Sequence, residues 1–354
     1  MLRAAVIGLG VGFFHCRGYA KSKNAELVAV CNRGEDRLRK AREEFGKVDL
    51  YTDYKKLLNR DDIDVVSIAT PSYLHSTMAL EAIASGKHVF LEKPMAFTLE
   101  KCDEIIEAAK KNNVKITIDY EFRINPFWSE VKDFINKGEV GQIASAAVYH
   151  WRKPFNVKKG GWSQKSKYVG NLLFEEMVHW FDLLRWYGGE IKKIHCLAND
   201  WVRKEFDYDQ NVFINFEYED GGIGQVSQTI NGFDMRTTLW VIGTEAAILG
   251  KAIYSDEGNW GERLFKPHQR DIPSDRDPKI VKKRKFGEEI YEMVSIEEHV
   301  RDFVDRIVED RGPLVTGVGG RKTIELCLAA EKSARTGEVV KLPLEGSSDF
   351  AREN

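Results

Sequence analysis

Lys93, His179 and Glu175 are the residues of this sequence best equipped for chemistry at a hydroxyl-bearing carbon. Lys93 sits in the triplet Glu92-Lys93-Pro94, directly after the apolar run at 88–91. Its ammonium can hold a developing alkoxide. His179 lies in the segment GNLLFEEMVHWFDLLR, four residues after Glu175 and three before Asp182. On a helix those spacings put the three side chains on one face. A carboxylate there favours the protonated imidazole, fixes its orientation and suits it to act as a general base. Each residue also has a plainer reading: Lys93 as an exposed lysine at a strand end, His179 as a buried histidine satisfied by a neighbouring carboxylate. A metal site built from Glu175, Glu176, His179 and Asp182 is a further alternative. No second histidine lies nearby, and neither HExxH nor a cysteine set is present, so no metal is expected.

The elements around Lys93 place it at the mouth of a nucleotide site. Val65, Val66, Ile68 and Ala69 make a short apolar strand that Thr70-Pro71 stops. Ser72 is expected to cap a helix running through Met78, Leu80, Ala82 and Ile83, and Gly86 to end it. The next strand, 88–91, delivers the Glu92-Lys93-Pro94 triplet. In an open parallel sheet, ligands bind just beyond the carboxyl ends of the strands. At the N-terminus a strand over 2–8 runs into Gly8-Leu9-Gly10-Val11-Gly12, and a helix begins near Val11. Glycines there allow a tight turn and close approach of a pyrophosphate, and the helix N-terminus supplies N–H donors. A purely structural turn would use the same glycines. The second strand ends at Cys31-Asn32-Arg33, where NAD sites place an acid about twenty residues past the glycine turn. Asn32 has no charge to repel a 2′-phosphate and Arg33 can pair with one, which leans towards NADP, although Arg33 can equally stack on adenine in an NAD site.

Taken together these motifs resemble the oxidoreductase family of glucose–fructose oxidoreductase, inositol dehydrogenase and the rhizopine catabolism protein MocA. The glycine turn, Thr70-Pro71 with His75, the Glu-Lys-Pro triplet, and the helix from Glu175 to His179 match in order along nearly the whole chain. Tyr120, Arg123 and Pro126 match a further segment that joins the domains near the nicotinamide. The resemblance implies that Gly8, Gly10, Val11, Gly12, Phe13, Asn32, Arg33, Thr70, Pro71, His75, Glu92, Lys93 and Tyr120 surround an NADP or NAD cofactor. It implies catalysis by Lys93 and His179, with Glu175 orienting His179 or holding a hydroxyl, and Arg123 on the substrate side. The chain departs from the family at Phe13, where a third glycine is usual, and at Glu175, where aspartate is usual. Trp162 is the tryptophan chosen to floor a sugar, among rings that include Tyr149, Trp151, Tyr168 and Tyr187.

Length and composition agree with this. A chain of 354 residues suits two domains: a dinucleotide-binding Rossmann domain over 1–120 and a substrate and oligomerisation domain over 121–354, whose tail packs back on either. The expected fold class is α/β, a doubly wound parallel sheet followed by an α+β domain with a largely antiparallel open sheet. Strands are expected at 2–8, 26–31, 64–69, 87–91 and 115–119, with Asp53 and Thr98 as helix caps. From 190 to 250 the pattern turns to period-two strands, with turns at 219–222 and Asn231-Gly232. Residues 251–292 resist assignment, and helices follow at 295–310 and 318–336. The net charge of −2 argues against a general nucleic-acid binder, and Lys282-Lys283-Arg284-Lys285 reads as a solvated loop or edge strand. Five cysteines without CxxC pairing read as free thiols, and the absence of a leader or bilayer-length stretch predicts a cytoplasmic protein. The expected activity is NAD(P)-dependent dehydrogenation of a secondary alcohol in a sugar, sugar derivative or inositol. Relatives that cleave glycosides by transient oxidation offer one alternative, and a non-catalytic NAD(P) sensor another. The family also implies a homodimer or homotetramer through the antiparallel sheet.

Overall fold

The structure is a computed structural model that describes residues 1–154, 161–255, 258–267, 282–287 and 292–345. The first sheet contains β1 (Leu2–Ile7), β2 (Ala25–Cys31), β3 (Asp49–Tyr51), β4 (Val65–Ile68), β5 (His88–Leu91) and β6 (Ile116–Ile118). All are parallel, in the order β3-β2-β1-β4-β5-β6. The central strands are apolar runs because helices cover both faces of the sheet; every residue of β4 is buried. Those helices are α1 (Gly12–Lys21), α2 (Glu35–Phe45), α3 (Tyr54–Leu58), α4 (His75–Ala84) and α5 (Leu99–Lys111). Asp53 caps α3 by accepting from the Lys55 N–H at 2.9 Å, and Thr98 caps α5 by accepting from the Lys101 N–H at 3.3 Å. The order reverses between β1 and β4, and a crevice opens at that switch point. Ser72 does not cap as expected. It starts a 3-10 turn over Ser72–Leu74, and its side chain makes no capping hydrogen bond.

After α6 (Pro126–Asn136) a second sheet begins. Its strands are β7 (Ile143–Trp151), β8 (Ile191–Asn199), β9 (Asn211–Tyr218), β10 (Ile223–Thr229), β11 (Met235–Gly243), β12 (Ala246–Ser255), β13 (Gly258–Pro267), β14 (Lys282–Phe286) and β15 (Val340–Lys341). Among the described residues the order is β14-β13-β12-β11-β7-β10-β9-β8-β15, antiparallel except where β7 runs parallel to β10. The turn at 219–222 closes the β9–β10 hairpin. Asn231-Gly232 does not close one: β7, from much earlier in the chain, lies between β10 and β11. The segment that resists assignment from sequence supplies β13 and β14, and the basic cluster is the exposed edge strand β14, where lysines discourage further pairing. One face of this sheet carries α8 (Val178–Gly188), which continues a turn of π-helix over Leu173–Met177, and the short α7 (Ser166–Val169) packs against the turn at Ser72–Leu74. The five cysteines are free and buried. No described helix is long and apolar enough to cross a membrane.

The last two helices, α9 (Glu292–Val308) and α10 (Gly317–Thr336), bind the halves together. Val300, Phe303 and Val304 of α9 join the apolar core of the first sheet, so this late segment completes the N-terminal half. The approach is close because α1 has a glycine at position 18. A Cβ there would lie 2.7 Å from Val300 Cβ and 2.9 Å from the Glu297 carbonyl oxygen. Lys21 with Glu297 (2.5 Å) and Asn24 with Asp305 (2.9 Å) flank the contact. Gly18→Val should therefore overpack this seam and lower stability by about 1–3 kcal/mol. Denaturant unfolding measures it, and an unchanged midpoint would contradict the packing described.

Candidate active site

A single cleft of about 910 Å³ runs from the glycine turn to the π-turn. At its first end the glycines divide the work. Gly8 has φ +94°, and a Cβ would sit 2.3 Å from the Ala69 carbonyl oxygen, so only glycine fits. Gly10 faces open space, with Arg37 Nη1 at 3.8 Å the sole atom a Cβ would meet, which leaves room for a ligand at the α1 N-terminus. Gly12 lets α1 approach β1 and β4, since a Cβ would lie 3.0 Å from Val6 and 3.1 Å from Ala69 side-chain atoms. Helix packing is thus served by Gly12, and Phe13 is buried against Phe45, outside the cleft lining. Asn32 Oδ1 accepts from the Leu9 N–H at 3.2 Å and so braces the glycine turn. Arg33 and Arg37 line the cleft beside it, and Arg37 donates to the Leu9 carbonyl. These features fit a dinucleotide: an anion-binding helix end, an open glycine, and cationic groups where the second strand ends.

Thr70, Pro71, Glu92 and Lys93 line the middle of the cleft. His75 lies beneath it, 1% exposed, with its two ring nitrogens each 2.8 Å from the Pro94 and Thr70 carbonyl oxygens. It joins the two turns and does not reach the cleft. Tyr120 is fully buried and likewise outside the lining.

The reacting end departs from the sequence reading. Lys93 Nζ donates to the Glu175 backbone carbonyl at 2.5 Å and lies 3.9 Å from Glu175 Oε1. Glu175 therefore serves Lys93, and the carboxylate beside His179 is Glu121, with Oε2 3.4 Å from Nδ1. The reason is local. Residues 173–177 are wound as π-helix, so the i,i+4 neighbour relation of an α-helix does not carry across to His179. His179 lines the cleft with its side chain 12% exposed, and Phe122 packs on its ring at a centroid distance of 4.9 Å. Burial first, then the charge of Lys93 and the neighbouring His150, push its pKa well below the ordinary histidine value. A carboxylate-raised pKa is not what this site has.

Farther in, Glu176 accepts from Arg152 Nε at 3.0 Å and from Gln228 Nε2 at 3.1 Å, and Gln228 in turn accepts from Trp180 Nε1 at 2.9 Å. His150 bonds Thr237 Oγ1 at 2.8 Å, and burial with Arg152 pulls its pKa down to about 3. Trp162 lines the cleft and is 49% exposed. Tyr168 reaches the rim only through Tyr73, at a centroid distance of 5.2 Å. Tyr187 is instead a buried donor to the Trp128 carbonyl. Sequence reading missed Glu121, His150, Glu176 and Gln228 as lining or bracing groups. For His150 and Gln228 the signal is register: alternate residues of β7 and β10 face the π-turn, which becomes visible only once the strand order is known, whereas Glu121 lies in the turn after β6 and Glu176 in the π-turn itself.

Arg123, expected on the substrate, does not line the cleft. Its Nε and Nη2 each lie 2.7 Å from the Asp182 carboxylate, which is 1% exposed. With Glu175 beside Lys93, Glu176 on Arg152 and Asp182 on Arg123, the acidic groups of this helix are committed to separate cations. Removing one partner of so buried a pair strands the other. Asp182→Ala should cost about 3–5 kcal/mol, and replacing both residues by apolar ones much less. Unfolding of the two single variants and Arg123→Met/Asp182→Leu tests this, since additive losses would show that the residues do not act as a pair.

Residues 2–120 match the sequence model of an oxidoreductase family with an NAD-binding Rossmann fold, and residues 128–249 match the GFO/IDH/MocA C-terminal domain. The chain is 27% identical to a scyllo-inositol 2-dehydrogenase (NAD(+)) of Bacillus subtilis, covering 96% of each chain. It is 24% identical to a myo-inositol 2-dehydrogenase of Thermotoga maritima, over 96% of this chain and 98% of that one. In fold it is similar to a levoglucosan dehydrogenase solved with NADH and levoglucosan, with TM-score 0.83, 22% identity, and coverage of 97% and 99%. The glycine turn, the Lys93 cleft and the matches to both domains place the chain in the GFO/IDH/MocA family of NAD-binding oxidoreductases.

Proposed function

We propose that this chain oxidises a secondary alcohol of a neutral sugar or cyclic polyol, with Lys93 holding the reacting oxygen and His179 taking its proton. The observation that carries this reading is the convergence of the two side chains on one cleft that also contains the glycine turn. A bound nicotinamide would supply the hydride acceptor. Lys93 has three N–H donors. One is committed to the Glu175 carbonyl and one points towards its carboxylate, so a donor remains for an alkoxide. At the reacting end the described lining carries the carboxylates of Glu92, Glu121, Glu175 and Glu176 against the cations of Lys93 and Arg152. That balance suits hydroxyl groups, which carboxylates can hold in pairs, better than a sugar acid. Trp162 offers a flat apolar ring at the rim. For the cofactor, Arg33 and Arg37 with no acid at position 32 support NADP, while the relative named for NAD(+) supports NAD. The outward face of the second sheet exposes Leu197, Phe213 and Ile223, a surface suited to pairing with a second copy of the chain.

The test is a panel of inositols, aldoses and anhydrosugars, each with NAD and with NADP, followed by absorbance of the reduced nicotinamide. Activity is expected with a neutral cyclic substrate. Lys93→Ala should lower turnover by about a hundredfold or more, with cofactor affinity little changed. Turnover like that of the wild type would remove Lys93 from the mechanism. The pH profile follows from the depressed pKa of His179. Alcohol oxidation needs the neutral imidazole, so the rate should be flat through the ordinary histidine range and fall only at lower pH. Glu175→Gln should leave that limb in place. A limb centred near the ordinary histidine pKa of about 6.5 would contradict the burial-driven shift.

A further inference from the structure

Below the cleft floor lies a buried polar cluster of His15, Glu92 and Asp119. His15 on α1 is fully buried, and its Nε2 is 3.0 Å from Glu92 Oε1 and 3.8 Å from Asp119 Oδ2. These three atoms lie within 4.8 Å of one another. Glu92, at the end of β5, also lines the cleft next to Lys93. Asp119, just past β6, is 1% exposed. Its Oδ1 accepts from His299 Nδ1 of α9 at 2.8 Å, and its Oδ2 is buried without a partner. Two buried carboxyls this close cannot both ionise cheaply, and a single N–H from His15 reaches one of them at hydrogen-bond distance.

Building on the cofactor reading above, we propose that Glu92 and Asp119 share one proton, and that Asp119 acts through Glu92 as a positioning residue for the cofactor's reacting ring. The pair gives the proton up to solvent when an oxidised, cationic nicotinamide enters the cleft, and keeps it when the reduced, neutral ring does. The rest of the cluster sets which carboxyl carries the proton. Burial raises Glu92, but the hydrogen bond and charge of His15, with the charges of Lys93 and His75, bring it below the ordinary value. Burial and the adjacent Glu92 charge hold Asp119 well above its ordinary value. His299 is pushed down to about 4, chiefly by burial, with Asp302, Arg306 and the Arg123–Asp182 pair acting more weakly. It thus faces Asp119 as a neutral donor. The shared proton therefore rests on the Asp119 side of the pair, with Glu92 the more readily ionised partner and His299 behind. A positive ring bound in the cleft that Glu92 lines would favour the doubly ionised pair, and a neutral ring would not. The phosphates are common to both cofactor forms, so the difference between the forms isolates the ring.

The experiment is calorimetric binding of oxidised and reduced cofactor to the intact chain, in buffers of different ionisation enthalpy. The proposal expects a fraction of a proton more to be released with the oxidised form. Affinity for the oxidised over the reduced form should then rise with pH. Asp119→Asn keeps shape and hydrogen bonding. It should abolish that difference while changing affinity for either form by less than about tenfold. Lys93→Met should retain the difference, which excludes the lysine as the proton's source. As a readout that needs no variant, the infrared difference spectrum of the wild type on adding oxidised cofactor should lose the band of a protonated carboxyl. Equal proton counts for the two forms, or a difference that survives Asp119→Asn, would overturn the proposal and leave the cofactor reading standing. Failure of either cofactor to bind would overturn both.

Discussion

The ammonium of Lys93 rests on the backbone carbonyl of Glu175, 2.5 Å away, and the geometry of the site depends on that contact. Lys93 is delivered by the end of a parallel strand, and Glu175 by a turn of π-helix in the other half of the chain. The contact therefore fixes the reacting end of the cleft above one continuous apolar core, to which Leu91 and Met95 beside Lys93 and Leu173, Phe174 and Met177 beside Glu175 all belong. A lysine held by backbone is also held without a formal counter-charge in direct contact, since the nearest carboxylate oxygen of Glu175 is 3.9 Å away. Its positive charge remains available to an alkoxide, in a site screened little by solvent. The π-turn makes this possible by turning Glu175 away from His179 and towards the strand end.

The same positive charge acts on His179. Packed against Phe122 and near Lys93, the imidazole is kept neutral, ready to accept a proton. A base made ready by burial and a neighbouring cation differs from one tuned by a carboxylate. It gives up basicity but is in the correct form over a wide pH range. Around these two groups Glu175 lies beside Lys93, Glu176 pairs with Arg152 and Asp182 with Arg123, while Glu121 lies beside His179 itself.

Much of the first sheet was legible in the sequence because parallel strands are continuous apolar runs, and the turns between them carry glycine, proline and capping residues. That alternation marks five of the six parallel strands, and the glycine turn with the Lys93 triplet sits where the sheet requires. The short strand β3 was missed because only three residues pair. In the second half, alternation announced strands but not their order. Nothing in the local sequence shows that β7 slots between β10 and β11, and so His150 and Gln228 could not be placed on the cleft wall. The Glu175–His179 pairing failed for a different reason: apolar spacing specifies a helix but does not distinguish an α-turn from a π-turn. Arg123 is placed on the substrate side by the family resemblance alone, and its buried pairing with Asp182 follows from the packing of the turn after β6 on α8, which no local pattern shows. The contribution of α9 to the first core rests on a contact between Gly18 and Val300, which no local pattern reveals.

The central claim is that Lys93 and His179 act on an alcohol whose carbon-bound hydrogen leaves as hydride. The most direct measurement follows that hydrogen. A cyclic polyol or sugar that serves as substrate, deuterated at the reacting carbon, is incubated with the chain and oxidised cofactor, and the reduced cofactor is analysed by mass and magnetic resonance. The account predicts deuterium at C4 of the nicotinamide, one per ketone formed. Deuterium lost to solvent, or a cleaved glycoside with no net reduced cofactor, would contradict it.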